Sequence, residues 1–245
     1  MVKRDSPSKH PTSKLSPFSR LHIVVRKRFP IRTVIQNVVI VVLAVCIVRS
    51  GPVLRFYARN TPIWGARGKI EPQTDIAAQV VAGARAQIGS VYDASYAQIS
   101  YPGGDVQPDR GACSDVVVRA LRHAGIDLQR LIHEDILRAP SEYPKLATTS
   151  EADTNIDHRR CLNQMRFFGR HAQTLTTEVS DATRDTWQPG DIVYWRQPGD
   201  RQHVGVLSDR ANAKSFPLVI HNGSVCMEQN CLTDWVIIGH YRYAR

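Results

Sequence analysis

Cys113 has the setting that nucleophilic catalysis requires. It stands in Gly111-Ala112-Cys113-Ser114-Asp115, where a glycine-marked loop enters a stretch with Val116, Val117, Ala120, Leu121 and Ala124 at offsets 3, 4, 7, 8 and 11. That spacing predicts an amphipathic helix of about three turns, stopped by Gly125. Ser114 and Asp115 occupy the first turn, where unpaired N–H groups and the positive end of the dipole favour short polar and acidic side chains. The same field stabilises a thiolate, the form of cysteine that attacks carbonyl carbon. A small buried hydrophobe starting a core helix would read the same way, since free cysteine is among the most buried residue types.

Two histidines shift the balance. His203 opens the segment His203-Val204-Gly205-Val206-Leu207, and His221 lies at the end of Leu218-Val219-Ile220-His221. Both segments have strand character. If they pair antiparallel in a register summing to 203 + 221 = 424, the histidines lie opposite each other on one face, with Cβ atoms about 4.5–5.5 Å apart. Neighbouring registers are expected to separate them. A cysteine nucleophile needs a base within hydrogen-bond reach, and the base needs a third polar group to fix its tautomer. Cys113, His203 and His221 fit those roles in that order.

A metal centre drawn from Asp157, His158, His203, His221 or His240 is a competing reading. The chain has no His-Glu-x-x-His and no two ligands at helical i, i+4 spacing, so neither a metal nor a cofactor is expected. A binding or scaffold protein without turnover is a third reading. The most charged stretch, Asp153 to Arg160, is either a solvated ion-pair network or a grip in which Arg159 or Arg160 takes a substrate carboxylate bidentately.

These residues need elements to position them. Thr74 can cap a helix with Ile76, Ala77, Val80, Val81, Ala84 and Ile88 on one face, ending at Gly89. Residues 90–110 read as loop, and Asp127 to about Leu137 as a further helix. Residues 138–187 give no clear period. After Gln188-Pro189-Gly190, four β-branched and aromatic segments follow: Asp191–Trp195, His203–Ser208, Leu218–Asn222 and Trp235–Tyr243. Helices first and strands second predict an α+β arrangement with a mainly antiparallel sheet.

Charge separates this domain from a leader. The net charge of +10 is concentrated in residues 1–50, which hold ten Lys or Arg against Asp5 alone, leaving +1 for the rest. No phosphate loop, aromatic-interleaved basic stripe or zinc-finger spacing appears, so a nucleic-acid partner is not expected. Residues 1–32, rich in Ser, Pro, Lys and Arg, read as a disordered cytoplasmic leader. Residues 33–50 read as an uncleaved single-pass anchor, whose uncharged core Thr33–Val48 is just under the usual ~17–25 residues of a spanning helix. Arg26, Lys27, Arg28 and Arg32 before it favour an N-in orientation. Residues 51–73 read as a tether and 74–245 as the folded domain. The expected location is the bacterial inner membrane with the domain in the periplasm, where Cys226 and Cys231 are close enough in sequence for a disulfide.

The ordered motifs resemble a family. Gly89-Ser90-Val91-Tyr92, Gly103-Gly104, Cys113-Ser114-Asp115, Gln188-Pro189-Gly190-Asp191-Ile192-Val193, His203-Val204-Gly205-Val206 and Ile220-His221 look like those of the NlpC-type cell-wall peptidases, which have a papain-like fold. More closely, Cys113-Ser114-Asp115-Val116-Val117, Asp153 to Arg160 and Gly239-His240-Tyr241-Arg242-Tyr243 are similar to the uncharacterised bacterial family called domain of unknown function 1287. The resemblance covers about residues 74–245. It implies Cys113 as nucleophile, His203 as general base, His221 as the orienting residue and peptidoglycan stem peptides as substrate. Tyr92, Ser114, Asp115, Asp157, His158, Arg159 and Arg160 are then the candidate substrate contacts. This chain departs from the peptidase pattern in having Ala112 where Asp usually precedes the cysteine. The span from Cys113 to His203 is also long, so residues 126–187 look like an insertion that reshapes or caps the cleft.

Overall fold

The computed structural model describes residues 66–144 and 151–243. The leader, the apolar segment at 33–48 and most of the tether lie outside the described residues; among those described, no helix is long and apolar enough to cross a membrane.

Helix α1 (Asp75–Arg85) begins where Thr74 Oγ1 accepts from the Ala77 N–H at 3.1 Å, and it buries Val80, Val81 and Ala84. Helix α2 (Cys113–His123) buries Val116, Val117, Ala120 and Leu121, the positions that its period assigns to the inner face. Gly125, at φ +79°, adopts the left-handed conformation that closes a helix C-terminus. Helix α3 (Leu128–Arg138) is capped by Asp127, whose carboxylate accepts from the Arg130 N–H. Helix α4 (Cys161–His171) fills part of the stretch that gives no sequence period. Its inner face carries Asn163 and Gln164 beside Phe167 and Phe168, all buried, so polar residues interrupt the apolar stripe.

Two short parallel strands, β2 (Val91–Tyr92) and β3 (Arg110–Gly111), join before α2. The main sheet contains β1 (Gly68–Lys69), β4 (Gln173–Thr174), β5 (Ile192–Gln197), β6 (Arg201–Ala211), β7 (Pro217–Asn222), β8 (Cys226–Gln229) and β9 (Val236–Arg242). Its spatial order is β4-β9-β5-β6-β7-β8, with β1 pairing the far end of β6, and every pairing is antiparallel. Residues 68–69, expected in the tether, thus belong to the sheet. The α+β expectation holds, and each of the four expected strands is present with shifted ends.

The sheet is covered on both faces, which explains its continuous apolar segments. Ile192, Tyr194, Val204, Val206 and Ile220 pack in one core with α2 and with Phe168 of α4. Val193, Trp195, Leu207 and Val219 pack in a second core with Trp187, Phe216 and Leu232. Cys226 belongs to the first core and Cys231 to the second; both are free thiols, so the disulfide raised by their spacing is not formed.

Candidate active site

The loop before α2 holds Cys113 at the helix start by a contact that the sequence pattern only half shows. Ala112 occupies the N-cap and has no side chain to cap with, and the Asp115 carboxylate reaches back to accept from the Ala112 N–H at 2.6 Å. Cys113 is 5% exposed and belongs to the first core. Its thiol is held well below the ordinary cysteine range by a hydrogen bond from Cys161, by hydrogen-bonding and charge interactions with His203, and by the Val204 N–H, all acting against burial. Cys161 is the first residue of α4, and its Sγ is 3.8 Å from that of Cys113. The sequence pattern gives no sign of this pairing, since 48 positions separate the two.

The histidines meet, but not by the expected register. Strands β6 and β7 pair Gly205 with His221 and Val206 with Ile220, so paired positions sum to 205 + 221 = 426. His203 is therefore a diagonal neighbour of His221 on the same face, two residues along β6. The expectation that a shifted register would separate the histidines is corrected: an even shift preserves the face, and long side chains reach the diagonal. His203 Nε2 and His221 Nδ1 are 2.8 Å apart. Gly205 makes room for this contact, because a Cβ there would lie 2.5 Å from a Val219 methyl and 3.1 Å from the His221 Cβ.

The hydrogen bonds fix both tautomers. His221 Nε2 lies 2.9 Å from Gln229 Oε1, an oxygen that only accepts, so Nε2 carries the proton. Burial, reinforced by the charge of His203, pushes the His221 pKa down to about 4, leaving a neutral ring whose Nδ1 accepts. His203 Nε2 must then donate, and its Nδ1 is the nitrogen left for the thiol. Gln229 lies on β8, a strand absent from the sequence reading, and the relay therefore has one more member than expected. Trp235 packs edge-on against His203 and His221, with ring centroids 5.5 and 6.1 Å away, and Trp195 flanks His203 from β5. Tyr92 is 41% exposed, and its hydroxyl pKa is raised by burial and by the nearby charge of Cys113.

The polar stretch expected to contact substrate bonds to the first turn of α2. Arg159 Nε and Nη2 donate to the two oxygens of Asp115 at 2.8 and 2.9 Å, with side chains only 2% and 4% exposed. Arg159 also donates to the Ser95 and Asp93 carbonyls. Ser114 Oγ donates to the Arg159 carbonyl at 2.6 Å, and Gln164 Nε2 donates to the Ser114 and His158 carbonyls. Asp157, also buried, accepts from the Asp153 N–H. Ser114, Asp115, Asp157, His158 and Arg159, expected as substrate contacts, are buried, and the guanidinium fork of Arg159 is occupied by Asp115. Arg160 remains partly exposed, with its charge felt by Asp153 and Asp157. The segment between α2 and the sheet accordingly supports the start of α2. His240, a member of the competing metal set, is buried elsewhere, stacked on Trp187 and bonded to Asp191 and the Thr176 carbonyl.

Burial also depresses the His158 pKa to about 4. A histidine ordinarily near 6.5 and held near 4 when folded contributes stability present above pH 6.5 and lost as pH falls toward 4, because the unfolded chain takes up the proton first. For His158 and His221 together the loss between pH 7 and pH 5 is on the order of 3 to 4 kcal/mol. Urea unfolding at the two pH values should show it, and His158→Gln should reduce the difference by about half. Equal stability at both pH values would mean that these rings are not held neutral.

The profile of the family described as Domain of unknown function (DUF1287) matches residues 81–243. The "Uncharacterized protein YijF" of Escherichia coli (strain K12) is 46% identical over 178 residues, covering 71% of this chain and 84% of that protein. Among solved structures, "Structure of NlpC1 from Trichomonas vaginalis" matches at 18% identity and a TM-score of 0.39, covering 71% of this chain and 46% of that one. By its profile match and its near relative, the chain belongs to the DUF1287 family.

Proposed function

We propose that the protein is a cysteine hydrolase of the NlpC type that cleaves amide bonds in peptidoglycan stem peptides through a thioester. The observation that carries this reading is the constellation itself: a thiol with a depressed pKa at a helix start, against a histidine oriented by a neutral second histidine. In the proposed step the Cys113 thiolate attacks the amide carbon, and the oxyanion is held partly by the Cys113 N–H at the start of α2. His203 Nδ1–H gives its proton to the leaving amine, while Nε2–H keeps its bond to His221. Water, activated by His203, then releases the acyl group. Tyr92 and Trp235 flank the reacting centre as apolar walls for the substrate.

The test is digestion of purified sacculi by the full chain, with products read by mass spectrometry. Release of stem-peptide fragments, unaffected by a chelator, is the expected result. Loss of release on chelation would move the assignment to a metal. No release together with an unreactive Cys113 toward iodoacetamide would favour a binding protein built on the same fold.

The proposed site of action is outside the cytoplasm, with residues 33–48 as a single-pass inner-membrane anchor. A periplasm-active reporter fused to the C-terminus should give signal. A signal confined to a cytoplasm-active reporter would overturn the orientation and with it the cell-wall substrate.

A further inference from the structure

We propose that Cys113 and Cys161 form a reversible disulfide that takes the nucleophile out of use and protects it from irreversible oxidation. The inference rests on Cys113 being the reactive thiol, not on which bond it cuts. Both cysteines are the first residues of eleven-residue helices, α2 and α4, and their sulfurs are 3.8 Å apart. Closing to a disulfide of about 2.05 Å asks for a movement of under ~2 Å. The two helix starts are already tied together, since Ser114 Oγ donates to the Arg159 carbonyl and Gln164 of α4 donates to the Ser114 carbonyl. The sulfurs are therefore juxtaposed by the brace and not by chance collapse. Cys161 takes no part in the His203–His221–Gln229 relay, so that relay does not account for a second thiol here.

The two thiols are also unlike. Cys113 is held well below the usual thiol range, whereas Cys161 is pushed well above it by its hydrogen bond to Cys113, by burial and by the charge of that neighbour. One is poised to react with an oxidant and the other to wait, the division of labour of an attacking and a resolving cysteine. Cys226 and Cys231 differ: burial pushes each to about 12, and they belong to separate cores.

With a peroxide as oxidant the step balances. The Cys113 thiolate attacks one peroxide oxygen, the O–O bond breaks, and the departing hydroxide takes a proton to become water, leaving a sulfenic acid. Cys161 gives up its proton, its sulfur attacks the Cys113 sulfur, the S–O bond breaks and a second water leaves. Two thiols and one hydrogen peroxide become one disulfide and two waters. A dithiol reductant reverses the result by exchange and is itself oxidised to its disulfide.

The experiment treats the full chain with stoichiometric hydrogen peroxide, blocks remaining thiols with iodoacetamide, and maps the peptides without reduction by mass spectrometry. The expected result is a cross-linked pair containing Cys113 and Cys161, lighter by two hydrogens, with alkylation of Cys113 lost and then regained after dithiothreitol. In Cys161→Ser, with its fold checked by circular dichroism, the first equivalent should stop at the sulfenic acid and a second equivalent of peroxide, given to both proteins, should carry only this variant's Cys113 to the sulfinic acid, which dithiothreitol does not rescue. Sulfinic acid at Cys113 in the parent without the cross-link, or pairing of Cys113 with Cys46, Cys226 or Cys231, overturns the proposal. None of these readouts uses a substrate. A parent that cross-links but cleaves nothing refutes the hydrolase reading alone, and one that cleaves but never cross-links refutes the disulfide alone.

Discussion

Cys113→Ala should bring release of stem-peptide fragments from sacculi down to background, a loss of about four orders of magnitude or more, with the fold retained. Covalent catalysis has no route without the sulfur, and the residual hydrogen-bond donors of the site act only on an attack that no longer occurs. The structural cost is small, because Cys113 lies at a helix end and the change removes a single sulfur atom. His203→Ala should fall as far, since in the proposed step His203 moves the proton. It should also cost about 1–3 kcal/mol of stability, because the buried Nδ1 of His221 loses its donor. His221→Ala should be milder, and His221→Gln should recover part of the loss by offering an acceptor to His203 Nε2 again. Circular dichroism and urea unfolding report the fold, and mass spectrometry of digests reports the chemistry. Full activity in Cys113→Ala would end the cysteine mechanism.

The parts of this site legible in the sequence were those with a local physical signature. The helix beginning at Cys113 shows its period, its first-turn acid and its glycine stop within thirteen residues, and the structure places it as expected. His203 and His221 were legible as a pair because strand parity alone puts them on one face, although the register that joins them is set by packing around Gly205 and cannot be read from the two segments. Gln229 was illegible because Cys226–Gln229 is four residues long and runs a thiol and a thioether followed by two polar residues, too short and without the alternation that signals a strand. Cys161 was illegible for a different reason. Its helix buries Asn163 and Gln164 to satisfy the Asp157 and His158 carbonyls and the Ser114 carbonyl at the start of α2, so the apolar stripe that would have shown α4 is missing where the helix does its bracing. Asp153 to Arg160 stood out as polar, but composition cannot tell a solvated cluster from one turned inward. The distinction is made by the partners, which come from the Asp93–Ser95 loop, α2 and α4.

Arg159→Ala should then act on stability and not on substrate affinity, with a loss of about 3–5 kcal/mol, the range for removing one partner of a buried pair. The variant leaves the Asp115 carboxylate buried with the Ala112 N–H as its remaining donor, and it also frees the Ser95 and Asp93 carbonyls from their guanidinium contacts. Arg159→Lys should recover little, because an ammonium cannot supply the two parallel N–H bonds that Nε and Nη2 make to Asp115. The double variant Arg159→Met with Asp115→Ala should be more stable than Arg159→Ala, since the unpaired charge goes with its partner, but it gives up the carboxylate that holds the Ala112 N–H at the start of α2. Its alkylation at Cys113 should therefore slow even as its unfolding midpoint recovers. Urea unfolding and alkylation kinetics on the four proteins separate these effects. If Arg159→Ala unfolds at the parent's urea concentration while its Michaelis constant rises, the guanidinium grips substrate after all and the inward pairing is wrong. Arg160→Ala is the matched control: it is the partly exposed arginine of the pair, so its stability should stay within about 1 kcal/mol of the parent. A weakened Michaelis constant in that variant would place the carboxylate grip at Arg160, one residue beyond the brace.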